Sequence, residues 1–237
     1  MRVADLNWMH LEAYLARDDR IVLPLGSTEQ HAYLSLATDS ILAERVSVEA
    51  AEPLGVPVLP ALPYGFTPGF GAYPGSPTLR LDTYLAILRE LLDSLAGQGF
   101  GRILVVNGHG GNVPAGALTR EWMADNPGRQ ALFHSWWSAP KVWAVVEEID
   151  RDSSHASWIE SFPWTRVEGT EVPRERKPLV DSSELAVSDP ARVRELVGDG
   201  SYGGLYERPE GDWRRVWEAG VAEAREVLES GWRQDAS

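Results

Sequence analysis

The chain contains no cysteine. That absence removes disulfides, thiolate metal sites and a cysteine nucleophile together. There is also no run of about 18 apolar residues, the length needed to cross a bilayer as a helix. The first dozen residues carry Asp5 and Glu12 and no apolar core of secretory-leader length, so a cytoplasmic location is expected. Positive charge is scarce: 22 Lys and Arg stand against 35 Asp and Glu, a net charge of −13. Such a surface repels phosphate backbones and anionic lipid, and no nucleic acid or membrane is expected as a partner. No serine sits in a GxSxG turn. The one SxxK match, Ser138 to Lys141, is interrupted by Pro140 and lacks companion motifs, which argues against serine nucleophilic catalysis.

What is present is a normal globular interior, 43% hydrophobic over 237 residues, enough for a single α/β domain spanning 1–237. Short apolar runs at 21–25, 56–62, 102–106 and 131–136 are bounded by Gly, Pro, Ser or Asn and predict buried strands. Between them, helical spacing appears at 39–52 (Ile41, Leu42, Val46, Val48) and at 81–95 (Leu81, Leu85, Leu88, Leu92, Leu95). Alternating strand and helix predicts βαβ units, hence a mostly parallel sheet covered by helices on both faces. Sites in such sheets lie beyond the carboxyl ends of the strands. From about 140 to 197 the pattern weakens into prolines, tryptophans and mixed charge, and an irregular Trp-rich insertion or lid is expected. A last amphipathic helix is predicted at about 212–232, on Trp213, Val216, Val221, Val227 and Leu228.

The first strand runs into Gly26-Ser27-Thr28-Glu29-Gln30-His31, with Asp39 opening the next helix. Glu29 and His31, two apart, share a side in extended chain, and the loop can return Asp39 to them. Imidazole mixed with carboxylate suits zinc, manganese or iron(II). The competing reading makes Glu29 a helix cap and His31 a surface residue. The third strand ends in Asn107-Gly108-His109-Gly110-Gly111-Asn112. A phosphate cradle is the rival here, but the glycine spacing and the lysine of a P-loop are missing, which favours His109 as a metal ligand. A third stretch holds Asp152, His155 and Glu160. Asp152 could orient His155 for proton transfer, or both could simply be solvated. His10 and His134 lack an acidic or glycine-rich setting and are expected to be packing or surface residues. Trp136, Trp137, Trp143, Trp158 and Trp164 are dense enough to form a substrate pocket, a core or a subunit interface.

The blocks 26–31 with Thr38-Asp39, and 103–112 with the central His109, resemble the two signature blocks of the creatininase (creatinine amidohydrolase) family, and His155-Ala156 with Glu160-Ser161 resembles a third, looser block. The resemblance spans roughly 20–165. It implies a three-layer αβα sandwich, two divalent metal ions per subunit (zinc or manganese, with iron a third option), a small-molecule amide substrate and often a homo-hexamer. Carried over, Glu29, His31, Asp39 and His109 would be metal ligands with Asp39 bridging, and Asp152 and His155 would face the substrate. Glu160 would complete the second site, because His31 and a shared Asp39 are few ligands for a stable catalytic ion. Two departures bear on the substrate. The stretch Ala32-Tyr33-Leu34-Ser35 replaces the family's Gly-Pro-His-Leu-Pro and is one residue shorter before Asp39. Gly110-Gly111 stands where creatinine-hydrolysing members carry Tyr-Glu. The resemblance therefore implies a non-creatinine amide, cyclic amide or formamide. A related peptidase or deformylase, or a catalytically silent metal-binding subunit, is the alternative.

Overall fold

A computed structural model describes residues 1–233, and residues 234–237 of the expected domain lie outside the described residues. Three six-residue strands, β1 (Arg20–Leu25), β2 (Arg102–Asn107) and β3 (Gln130–Ser135), form a parallel sheet in the order β1-β2-β3. Leu23 is registered with Val105, and Val105 with Phe133, so the three strands end level at Leu25, Asn107 and Ser135. The helices are α1 (Trp8–Leu15), α2 (Thr38–Ala51), α3 (Leu81–Gly97), α4 (Ala115–Asp125), α5 (Pro140–Asp150), α6 (Ser182–Leu185), α7 (Pro190–Val197) and α8 (Glu210–Ser230).

Side-chain alternation sorts the strands into two apolar faces. Ile21, Leu23, Leu25, Ile103 and Val105 meet Tyr84, Leu88 and Leu92 of α3 together with Leu118 and Trp122 of α4. Val22, Leu104 and Val106 meet Leu42 and Val46 of α2 and Trp217, Val221 and Leu228 of α8. These are the three layers of an αβα sandwich. Leu88 and Leu92 are fully buried, and truncating either to Ala would cost about 2–5 kcal/mol.

The expected strand at 56–62 is corrected. The segment runs parallel beside β1, but only through isolated bridges at Val58 and Leu62. Pro57 and Pro60 have no N–H to donate, and Pro24 of β1 lacks one on the side that faces this segment, so a continuous ladder cannot form. The irregular insertion expected at about 140–197 is corrected at its ends. Residues 140–150 are α5, which buries Val142 and Val146 against Val216 of α8, and 190–197 are α7. The helical stripe of α5 is blurred in sequence because Trp143, on another face, lines a cavity. Residues 151–181 contain no helix or named strand.

Candidate metal centre

Two glycines draw the strand ends onto the first turn of α2. A Cβ on Gly26, just after β1, would lie 2.2 Å from Ser40 Oγ and 2.5 Å from its Cα. A Cβ on Gly108, just after β2, would lie 2.4 Å from the Asp39 carbonyl oxygen. Only bare backbone permits both approaches. They bring Glu29 and His31 from the β1 loop, His109 from the β2 loop and Asp39 from α2 to one buried place.

The two Asp39 carboxylate oxygens divide between two histidines. Oδ2 lies 3.0 Å from His109 Nδ1, which is also 3.3 Å from Glu29 Oε2. Oδ1 lies 3.0 Å from His31 Nε2, which is 3.9 Å from Glu160 Oε2. The outer nitrogens are occupied by backbone. His109 Nε2 is 3.0 Å from the Phe66 carbonyl and His31 Nδ1 is 3.2 Å from the Glu29 carbonyl, so in the neutral rings these nitrogens carry the protons and the inner nitrogens are lone pairs. Three sets of potential ligands result: Glu29, Asp39 and His109; His31, Asp39 and Glu160; and, at the edge of the cluster, Glu29, His31 and His155.

Do these residues fit a cation? Ligand atoms about 2.1 Å from one ion lie at most about 4.2 Å apart, and every separation above meets that limit. His31 Nε2 and Asp39 Oδ2 are buried with no hydrogen-bond partner, although each has a neighbour at 3.0 Å. Burying such atoms unsatisfied costs about 1–3 kcal/mol each, a cost that a cation between them removes. The oxygen–imidazole donor set suits zinc or manganese.

Protons stabilise the cluster in the absence of a cation. Burial is the largest influence on His31 and lowers its pKa, but Asp39, Glu160 and Glu29 together outweigh it and raise the group to about 10. His109 is likewise pulled down by burial and carried well above its ordinary value by Glu29 and Asp39. Burial pushes Asp39 and Glu29 upward, yet the adjacent imidazoliums hold both below the usual carboxylate range. Glu160 is raised to about 7 because burial dominates there. Metal binding would displace these protons.

The remaining predicted residues separate. Glu160 both joins the His31 set and accepts the Ala156 N–H at 2.6 Å through Oε2, so it also shapes its own loop. His155 stands at the edge of the cluster, its Nδ1 3.8 Å from Glu29 Oε1, and burial followed by His31 lowers its pKa to about 4. His155 Nε2 lies 3.0 Å from the Gln30 carbonyl and 2.9 Å from the Gln30 side-chain nitrogen. The carbonyl contact requires a proton on Nε2 and leaves Nδ1 bare; the amide contact requires the reverse. Asp152 does not orient this ring. It is an exposed residue whose carboxylate faces Arg176 Nη1 at 3.5 Å.

The tryptophans divide too. Trp137 and Trp143 line a cavity of about 400 Å³ next to the cluster, whereas Trp136 and Trp164 pack on the α2/α8 side and Trp158 against α5. His10 closes a cap on Asn7, and His134 is half-buried. Gln30, Phe70 and Tyr202 were missed. Gln30 could have been suspected from its place between two ligands. Phe70 and Tyr202 come from segments with no periodicity or motif, and reach His155 only in three dimensions, at ring-centroid distances of 4.8 and 5.0 Å. A larger groove of about 580 Å³ along α2 has no histidine in its lining, so the chemistry is assigned to the smaller cavity.

The fold and cluster define an α/β protein with a buried cluster of His, Glu and Asp at the carboxyl edge of a parallel sheet. The chain belongs to the creatininase family, whose model, described as creatinine amidohydrolase, matches residues 4–228. It is 32% identical over 160 residues to a creatinine amidohydrolase of Pseudomonas putida, covering 62% of each chain. It is 40% identical over 111 residues to a mycofactocin precursor peptide peptidase of Mycobacterium tuberculosis, covering 42% of this chain and 43% of that one. The matches thus span about three fifths and two fifths of those relatives. A solved mutant creatininase superposes with a TM-score of 0.81 at 21% identity, covering 98% of this chain and 99% of its own. Creatininases of the same fold, at 22% identity, have been solved in forms described as Zn-Zn and Mn, with TM-scores of 0.75 and 0.76; each comparison covers 98% of this chain, and 98% and 99% of theirs.

Proposed function

We propose that residues 1–237 form one amidohydrolase domain that holds two divalent ions and cleaves a carbon–nitrogen amide bond other than that of creatinine. The observation that carries this reading is Asp39, each of whose oxygens faces a different histidine within a different three-residue set. Glu29 and His109 would complete one site, and His31 and Glu160 the other. A pair of zinc or manganese ions bound there would lower the pKa of a water and polarise an amide carbonyl. The relatives described as zinc and manganese forms support that choice of metals.

The protein's own part is proton transfer and positioning. His155, neutral near pH 7 because burial lowers its pKa to about 4, would take a proton from the attacking water at Nδ1 and return it to the leaving nitrogen. The Gln30 carbonyl holds the ring through Nε2 meanwhile. No covalent intermediate is needed, in keeping with the lack of a cysteine or a serine elbow. Gly111 supports the exclusion of creatinine, since a Cβ there would lie 1.8 Å from the Phe66 carbonyl oxygen. No side chain can stand at that position on this backbone, let alone the glutamate that creatinine-hydrolysing members are expected to carry.

A peptidase acting through the same residues is the second reading, favoured by the identity to the mycobacterial peptidase. Protein stripped of metal and reloaded with zinc or manganese should hydrolyse at least one of a panel of formamides, cyclic amides and short peptides, and should leave creatinine intact. Two bound ions with no turnover across the panel would instead identify a silent metal-binding subunit. Assembly as a homo-oligomer, up to a hexamer, belongs to the same proposal, and sedimentation would test it.

A further inference from the structure

The cavity beside the cluster is lined by Phe70, Trp137, Trp143, Ile159 and Tyr202, by glycines and by Ser153 and Ser154, with no lysine or arginine among the described lining residues. Its aromatic wall is preorganised. Phe70 lies nearly parallel to His155, at 28°, and Tyr202 packs against both Phe70 and that imidazole. Among the described lining residues the only carboxylates are the candidate ligands Glu29, Asp39 and Glu160. Three carboxylates cancel most of the charge that two dications would bring, so little positive potential is left over for an anionic substituent on the substrate. A carboxylate or phosphate entering the cavity would shed water and find no guanidinium or ammonium in exchange. A flat uncharged body loses little on desolvation and gains contact with the aromatic faces.

We infer that this site selects amides whose non-reacting part is planar and carries no negative charge, and discriminates against carboxylates and phosphates. The inference rests on the hydrolase reading for the identity of the reacting group, but the selectivity is a property of the cavity walls. The test uses 4-formamidobenzamide and 4-formamidobenzoate, which share shape and scissile bond and differ in charge. Binding of each to the zinc-loaded protein is measured by titration calorimetry, and formate release is followed separately. The carboxamide is expected to bind at least about tenfold more tightly, about 1.4 kcal/mol. Equal or tighter binding of the carboxylate, or no binding of the carboxamide, overturns the inference. Selective binding of the carboxamide without formate release leaves the inference standing and counts against the hydrolase reading for this bond. Trp143→Arg, at a partly exposed position on α5, provides an independent check: it should move the preference at least about tenfold toward the carboxylate while both zinc ions are retained. An unchanged preference in that variant would also overturn the inference.

Discussion

Asp39→Asn tests the centre most directly, because this carboxylate joins the set with Glu29 and His109 to the set with His31 and Glu160. The substitution keeps the size of the side chain and removes the charge. In the metal-free protein Asp39 also faces two imidazoles at 3.0 Å, so the absolute stability of the variant will change for reasons unrelated to metal. The quantity to measure is therefore the zinc-induced rise in Tm of each protein against its own chelator-treated form. Zinc at about 100 times its Kd stabilises by about 2.7 kcal/mol per site, so two sites contribute about 5 kcal/mol. At 2–4 °C per kcal/mol for a chain of this size, the wild-type protein should gain roughly 10–20 °C. If losing the shared carboxylate weakens each site about 100-fold, each contribution falls to about 0.4 kcal/mol, and the rise at the same zinc concentration shrinks to roughly 2–3 °C. Glu160→Gln touches one set only and should halve the rise, leaving one zinc per chain by elemental analysis. Calorimetry with free zinc buffered would supply both stoichiometry and shift. If Asp39→Asn still binds two zinc ions and keeps the wild-type increment, the bridging geometry is wrong.

His155→Ala should keep both metals and lose about 10²- to 10⁴-fold in rate on any substrate the panel reveals. Loss of an ion from that variant would instead make His155 a ligand, through the set it forms with Glu29 and His31. Ala32 has φ +50° directly after His31; left-handed backbone costs a non-glycine residue about 1–2 kcal/mol, and glycine's extra unfolded-state freedom returns about 0.5–1 kcal/mol of that. Ala32→Gly should thus raise the urea midpoint by about 0.5 kcal/mol in stability, and a lower midpoint would contradict the strain argument. Burial pushes His134 down to about 4 from an ordinary 6.5, so the folded protein binds fewer protons than the unfolded chain between those values. The contribution is complete above pH 6.5 and is lost as pH falls toward 4, at up to about 1.4 kcal/mol per pH unit. His134→Leu should flatten that part of the stability curve, and an unchanged slope would show that other groups set it.

Much of this molecule was legible because local chemistry and tertiary need coincide. Strands β1, β2 and β3 read as apolar runs since both faces of the sheet are covered, and α3 read as a helix since one of its stripes, Tyr84, Leu88, Leu92 and Leu95, is buried. Glu29, His31, Asp39 and His109 could be singled out as candidate ligands because each stands in a turn that ends a strand, or in the helix that follows one. Where the reading went astray, a residue served two neighbours. Helix α5 faces α8 on one side and the cavity on another, and the prolines at 57 and 60 turned an apolar run into a bridged edge.

The sequence by itself determined which donors are available: an imidazole and carboxylate set with no thiolate, and strands short and apolar enough to be enclosed. Those are properties of residue type and spacing, and they survive any rearrangement of the chain. Only the tertiary structure decided that Asp39 would stand between His31 and His109, that Asp152 would turn away to Arg176, and that Phe70 and Tyr202 would enclose His155. Separations in sequence as long as that from Gln30 to His155 carry no geometric information until the sheet brings β1 and β2 level and Gly26 and Gly108 let both strand ends touch α2. The site is set by that close approach, in which a single added Cβ would force the backbone apart.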